Sequence, residues 1–436
     1  MNKRNNSYVF SLLRVFLVLF VALIVPRLYF TDYNSGSSAN HQPQNLSQEN
    51  AFKLGLESIS PEFLASIGAN GSLDYSVGLI TNQTGLDQNG NRNIDILLSK
   101  GLPIKKIYVP ENDFLAYKKG INWEMIDDQT KIPIVLLPHI DSLKKSKEYA
   151  FGDIEVLFFD MQDSGINPNS DLITLVKTLQ SVACQHKTIV VLDRPNILGS
   201  SMEGIIADGG RSDDELIPVP MRHGMTLGEL ARHFNTTLLA KSARLYVVPM
   251  KNYTRTLFAD AAHVSHASLL TNIDTYYGSS FLTVLSSVAP FDVGMDTDMA
   301  YSCLALPESL HFPKQKWFEL RTILKNQGIE TSWYRYQNPK KKNMYAGLRL
   351  LVRNVDQFSP FNAIVTIVQF FKDAGIKLSF SADFDRAVGG KKVRDFLEGK
   401  FARHDLEYEV NKGLKNFFNK AQSSFIYKPT PKIVLL

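Results

Sequence analysis

The chain has 436 residues, 44% of them hydrophobic and 21% charged, with a net charge of +5. These values fit a globular protein with room for two ordinary domains, and they exclude a disordered chain or a multi-span membrane protein. The small positive excess comes partly from local clusters, Lys340 to Lys342 and Lys391 with Lys392, that read as solvated faces. No RNA- or DNA-binding signature accompanies them, so nucleic acid is not an expected partner.

The N-terminus departs from this average. Lys3, Arg4 and Arg14 precede an uncharged apolar run of 12 residues, Val15 to Pro26. That length suits the apolar core of an export signal; read from Tyr8 to Phe30, the segment is long enough to anchor in a bilayer. Residues 1–33 are therefore expected to be a signal peptide or membrane anchor, with contact to a membrane through this segment only. The expected location is exported: periplasmic, extracellular, or held at the inner membrane. The Ser-, Asn- and Gln-rich residues 34–50 read as a tether. Cys184 and Cys303 are the two cysteines. Cys184 sits in a helix-like stretch and is expected to be a buried thiol.

Beyond the tether, apolar runs predict strands over 76–81, 105–109, 132–137, 155–160, 188–193 and 245–248. Helices are expected between them, over 93–100, 172–186 and 226–240. Leu172, Leu175, Val176, Leu179 and Val182 keep the 3.6-residue period of an amphipathic helix. This alternation predicts a doubly wound parallel sheet in residues 51–262. After about residue 262 the texture changes. Helices over 316–327, 362–374, 391–397 and 408–421 with a strand over 347–352 predict a smaller α/β domain at 263–429, followed by a tail, 430–436.

Two polar signatures follow apolar residues directly. One is Asp193-Arg194-Pro195-Asn196 at the end of a β-branched run; the other is Arg222-His223-Gly224-Met225-Thr226, where Thr226 and Glu229 form a capping box. In open α/β sheets, ligands sit at the carboxyl ends of the strands. Glu111, Asp160, Asp163 and Asp193 all stand at such ends, with Arg194, Arg222 and His223 nearby. A gathering of acids of this kind is what glycoside hydrolysis requires: one acid protonates the leaving oxygen and a second group stabilises or attacks the sugar. The structural alternative is that Asp160 and Asp193 fix loops through backbone hydrogen bonds. Other chemistries lack their marks. There is no Gly-x-Gly-x-x-Gly, phosphate loop, His-Glu-x-x-His or Gly-x-Ser-x-Gly, and neither metal nor cofactor is expected. His263 and His266 have no further ligand beside them. Asp87 to Asp95 alternates oxygen-bearing residues, but its glycine and twelfth position are wrong for a calcium loop, so a helix-capping turn is expected.

In order along the chain, the motifs resemble the exo-β-N-acetylmuramidase family of peptidoglycan-recycling glycoside hydrolases. The resemblance runs from Val77 to Pro429. It rests on Val77-Gly-Leu-Ile-Thr81-Asn82-Gln-Thr84-Gly85, Val109-Pro110-Glu111, Phe159-Asp160-Met-Gln162-Asp163, Leu192-Asp193-Arg194-Pro195-Asn196 with Glu203-Gly204, Arg222-His223-Gly224, and Phe384-Asp385-Arg386 with Val393-Arg394. It implies a Rossmann-like N-terminal domain, a smaller C-terminal domain, and peptidoglycan fragments or amino sugars as partners. It implies Glu111 at the catalytic acidic position, and Asp160 is taken as the second catalytic candidate. Asn82, Gln162, Asp163, Asp193, Arg194, Asn196, Arg222 and His223 are the expected substrate-binding set. Arg222 or Arg194 is the candidate partner of the lactyl carboxylate that marks muramic acid.

Three segments depart from the family pattern. Asn112-Asp113 stands where His-Gly is usual. The run Gly165 to Asp171 replaces an Arg-aromatic-Tyr-Thr stretch. Gly294-Met295-Asp296-Thr297-Asp298 replaces an arginine-bearing segment. Two functional readings follow: an exported hydrolase releasing terminal N-acetylmuramic acid or a related sugar, or a non-catalytic homologue that binds cell-wall sugars or an envelope partner.

Overall fold

A computed structural model describes residues 51–67, 75–113, 125–138, 149–206, 217–255, 272–295 and 297–436. The expected export segment and tether, and His263 with His266, lie outside the described residues. Among the described residues no helix is long and apolar enough to cross a membrane.

Six strands form a parallel sheet: β1 (Val77–Thr81), β2 (Ile104–Pro110), β3 (Ile134–Leu137), β4 (Val156–Asp160), β5 (Thr188–Leu192) and, after the two short strands β6 (Ser201–Ile206) and β7 (Pro220–Arg222), β8 (Arg244–Val248). Their order is β3-β2-β1-β4-β5-β8, every pair parallel. This is the doubly wound, Rossmann-like arrangement that the alternating pattern predicts.

The continuous apolar runs exist because both faces of the sheet are covered. Side chains alternate across it with period two. Val77, Leu79, Ile107, Val109, Val156 and Phe158 pack into one core with the helices Pro61–Ile67 and Asn93–Ser99. Ile80, Tyr108, Leu157, Phe159, Ile189 and Val191 pack into the other with the helices Ser170–Cys184 and Leu227–Thr237. Phe158 and Phe159 are both fully buried, each removing roughly 1.5–3 kcal/mol of apolar surface from water. Cys184 is exposed rather than buried. It is the last residue of its helix, off the face defined by Leu172, Leu175 and Leu179.

The second core continues without a break into the C-terminal half. Phe281, Leu348, Ile364 and Leu414 belong to the same buried cluster as Ile80 and Phe159. Smaller sheets surround it. Strands β9 (Val288–Ala289) and β13 (Ser379–Phe380) pair antiparallel. Strands β10 (Cys303–Pro307), β11 (Ile329–Gln337) and β12 (Met344–Val352) form an antiparallel sheet in the order β10-β12-β11. The strand expected over 347–352 is thus the end of a longer hairpin.

The chain end returns to the parallel sheet. Strand β14 (Lys432–Ile433) pairs with β6, and the Tyr427 hydroxyl donates to Asp193 Oδ2 at 2.7 Å. Asp193, fully buried at the end of β5, also accepts from the Thr226 hydroxyl at 2.8 Å, Gly228 N at 2.8 Å and Arg194 N at 3.0 Å. A side chain at Gly228 would meet the Asp193 carboxyl carbon at 2.7 Å, so the helix can approach the strand end this closely only with glycine there. Glu229 completes its capping box with Thr226 and binds Arg255 and Ile426 N.

Burial, opposed by the Tyr427 bond and reinforced by the Glu229 charge, pushes Asp193 from 3.8 up to about 6. A carboxyl whose folded pKa is raised contributes stability that is full below its ordinary value and is lost as pH rises through about 6. Tyr427 is the donor that offsets this loss. Tyr427→Phe is therefore expected to cost about 1.5–3 kcal/mol near pH 7.5, where it leaves a buried carboxylate short of a donor. Near pH 4.5, where the partner is neutral, the expected cost is about 0.5–1.5 kcal/mol. Urea unfolding of both proteins at the two pH values measures the difference; equal costs would remove Asp193 as the titrating group.

Candidate active site

The strand order reverses between β1 and β4, so the loops leaving these strands flank the crevice where doubly wound sheets bind ligands. Thr81 and Asp160 stand opposite each other in register at its edge. Asn82 turns back at once: its Oδ1 accepts from Thr84 N at 3.0 Å while its amide donates to Asp113 Oδ2 at 2.9 Å. Thr84 Oγ1 accepts from Gln162 N at 2.8 Å, which joins the two loops. The Gln162 amide continues the chain of bonds to Pro195 O at 2.8 Å, leaving its Oε1 buried without a partner.

Several residues expected to meet substrate are instead enclosed. Asp160 is fully buried and takes the fork of Arg194, Nε to Oδ1 at 2.7 Å and Nη2 to Oδ2 at 2.9 Å, with Asn93 Nδ2 on Oδ2 at 2.8 Å. These partners enclose Asp160 and hold the ends of β4 and β5 together. Arg194 and Arg222, the candidate partners of a lactyl carboxylate, both carry partners within the protein. Arg194 is spent on Asp160. Arg222 donates to Glu203 Oε1 at 2.9 Å, Phe358 O at 3.3 Å and Leu198 O. Asp193 is the four-donor cap described above, so its structural alternative is the one realised. Asn196 closes its own turn, accepting from Leu198 N at 2.9 Å and donating to Met225 O at 2.8 Å.

What remains at the edge is acidic. Glu111 is exposed on the single 3₁₀ turn Glu111–Asp113 that follows β2. It borders a small void of about 10 Å³ with Asn112, Ser170 and Thr174, which brings that turn against the first turn of the helix Ser170–Cys184. Asn169 caps this helix, and its side-chain amide bridges the neighbourhood: Asp163 Oδ1 at 3.0 Å, Ser164 Oγ at 2.9 Å and Asp171 Oδ2 at 3.5 Å. Asp171 is partly buried. Burial and the charges of Asp113 and Asp163 push its carboxyl well above the usual carboxylate range. Burial also raises Asp113, against bonds from Asn82 and Gln83.

Behind Asp163 stands His223, fully buried. Its Nδ1 accepts from Met225 N at 3.3 Å, which assigns the proton to Nε2. Nε2 lies 3.0 Å from Asp163 Oδ2 without the alignment of a hydrogen bond. Asp163 is otherwise held by Gly165 N at 2.9 Å. Of the residues expected from sequence, Glu111, Asp163, His223, Gln162 and Asn82 are therefore brought around one edge, while Asp160, Asp193, Arg194, Asn196 and Arg222 form the frame behind it.

Asn93, Asp113, Asn169 and Asp171 escaped the sequence reading. The last two carried a signal, since Asn169-Ser170-Asp171 before an apolar helical run is a helix start. Asp113 and Asp171 fall in two of the segments that depart from the family pattern. Among the described residues no group of three His, Cys, Asp or Glu side chains is arranged to hold a metal ion. Asp87 closes its own turn, accepting from Asn89 N at 2.9 Å and Asn91 N at 2.7 Å.

Residues 77–275 match the family model for the N-terminal part of the exo-beta-N-acetylmuramidase NamZ. Over 431 residues the chain is 22% identical to the peptidoglycan beta-N-acetylmuramidase NamZ of Bacillus subtilis (strain 168), a match that covers 93% of this chain and 99% of that one. Two crystal structures of DUF1343 family proteins from Bacteroides fragilis NCTC 9343 share the fold, with TM-scores of 0.72 and 0.63. Each is 21% identical, and the matches cover 86% of this chain and 99% of theirs. With the motifs falling in order at the carboxyl edge of a doubly wound sheet, the match over residues 77–275 and the 22% identity over 93% of the chain support a divergent member of the NamZ exo-beta-N-acetylmuramidase family.

Proposed function

We propose that this protein is an exported glycoside hydrolase that removes terminal N-acetylmuramic acid, or a related amino sugar, from peptidoglycan fragments. The observation that carries the reading is an exposed Glu111 on a turn that lies against the first turn of the helix Ser170–Cys184, where Asp171 is a carboxyl whose surroundings favour the protonated form. Glycoside cleavage needs two carboxyls in different protonation states, and contrasting environments are how one site supplies both. Asp171 is the proton donor to the leaving oxygen. Glu111, on the outer turn, is the base or nucleophile at the anomeric carbon. Asp163, steadied by Asn169 and Gly165 N and faced by His223, stands close enough to Asp171 for its charge to raise the proton affinity there. Export rests on the basic and apolar N-terminal segment.

A second reading draws on the arginines. Both candidates for the lactyl carboxylate are committed inside the protein, as suits a homologue that binds cell-wall sugar without cleaving it. Turnover separates the two. With a chromogenic β-N-acetylmuraminide and its glucosaminide counterpart, Glu111→Gln is expected to lower kcat by about 10²–10⁴-fold while the fold is kept. Absence of hydrolysis of either compound by the folded wild-type chain would leave the binding reading.

Asp171→Asn tests the assignment of roles. In the wild type, kcat/KM should fall as pH rises through the elevated Asp171 pKa, because the donor is lost. The variant should be slowed at low pH and lack that alkaline limb. An unchanged pH profile would remove Asp171 as the acid.

A further inference from the structure

Away from the parallel sheet, the helix Lys314–Asn326 packs across β11 and leaves a groove of about 800 Å³ along the hairpin. That volume lies within the range of small-ligand sites, ~300–1,000 Å³. Two large rings stand half out of the surface here, Phe318 at 48% and Trp333 at 46% exposure. They meet edge to face, with centroids 5.4 Å apart. Exposed aromatic surface with a polar rim marks an interaction site.

These rings are held in place. The Arg321 guanidinium lies 5.7 Å from the Phe318 centroid and 5.8 Å from that of Trp333, and it is anchored by Thr331 Oγ1 at 3.0 Å and Thr331 O at 3.2 Å. Beneath them, buried Trp317 packs against Phe312 at 5.3 Å. On the rim, Arg335 makes a two-pronged pair with Glu308, Nη2 to Oε2 at 2.9 Å, beside His311 and Lys314.

A fixed, half-exposed ring next to a fork of planar polar groups has a specific chemical complement. The axial C–H face of a pyranose lies on the ring, and its equatorial hydroxyls reach the guanidinium and carboxylate. Pre-set rings and forks also avoid ordering costs on binding. Charge narrows the class further. Of the charged side chains lining the groove, Arg335 is paired with the one carboxylate, Glu308, which leaves Lys314 as a positive excess that favours an anionic partner. A second copy of the chain is a poorer fit. Twelve residues line the groove, whereas a stable protein interface takes roughly 20–30 a side.

We propose that this groove is a second carbohydrate site, which holds a carboxylate-bearing amino-sugar glycan strand with one pyranose stacked on Trp333. The identity of the glycan rests on the hydrolase reading above; the stacking chemistry does not. Such a site would retain the polymer while terminal sugars are released elsewhere on the protein.

Isothermal titration of the full chain with stem-peptide-free peptidoglycan glycan strands tests the proposal. Trp333→Ala is expected to weaken binding by at least about tenfold, with Trp333→Phe restoring part of it. Hydrolysis of a small chromogenic muraminide should be unchanged in Trp333→Ala. Raising the salt from about 50 to about 500 mM should weaken wild-type binding several-fold, and neutral chito-oligosaccharides should bind less tightly than the anionic strands. Equal binding by wild type and Trp333→Ala would overturn the proposal. So would a wild-type dimer that dissociates in that variant without any glycan effect. Trp333-dependent binding by a chain that cleaves nothing would support the groove while removing the hydrolase reading.

Discussion

The carboxyl edge of this protein depends on one buried ion pair, Arg194 with Asp160. Each comes from the end of a neighbouring parallel strand, and Asn93, from the helix covering the opposite strand face, completes the set. Removing two charges from water is costly, and their attraction recovers that cost only when every lone pair and proton is matched. Here the fork and the amide supply donors to both carboxylate oxygens. The pair adds little net stability by this reasoning but fixes one arrangement: any rotation of either loop would strand a charge in the core. Asp193 next to it does the same for the helix Leu227–Thr237 and for the returning C-terminal segment.

This frame separates two populations of polar side chains that look alike in sequence. The enclosed ones, Asp160, Asp193, Arg194, Arg222, Glu203 and Glu229, satisfy one another and set the backbone. Asp113, Asp163 and Asp171, with Glu111 on the neighbouring turn, lie outside this frame, and the charges of Asp113 and Asp163 add to burial in raising Asp171 above the usual carboxylate range. Asp163 belongs partly to both, since His223 and Asn169 fix it while its charge acts on Asp171. The segments that depart from the family pattern carry Asp113 and Asp171. Two of the three divergent segments therefore lie at this outer edge, and neither contains a residue of the enclosed frame.

The C-terminal half follows the same division. The apolar face of the hairpin and the helices over it join the second core, while at the margin of that same face Trp333, paired with buried Leu348, stands half in water with Phe318. Their exposure is stabilised by Arg321 rather than relieved by burial.

Period and composition alone determined the six parallel strands, the helices between them, the Thr226–Glu229 capping box and the placement of acids at strand ends. Those features are local: a buried strand must be apolar throughout, and a helix must present one apolar face. The short strands β6 and β7 and the hairpin strand β11 were not legible, because their residues take their pairing from distant parts of the chain rather than from a period of their own. Burial was equally hidden. Asp160 and Glu111 both follow apolar strands, but Arg194 and Asn93 close over one and leave the other in the open. Whether a carboxylate reacts or merely holds depends on which charges surround it in space, and only the tertiary structure brings Asp113, Asp163 and Asp171 together.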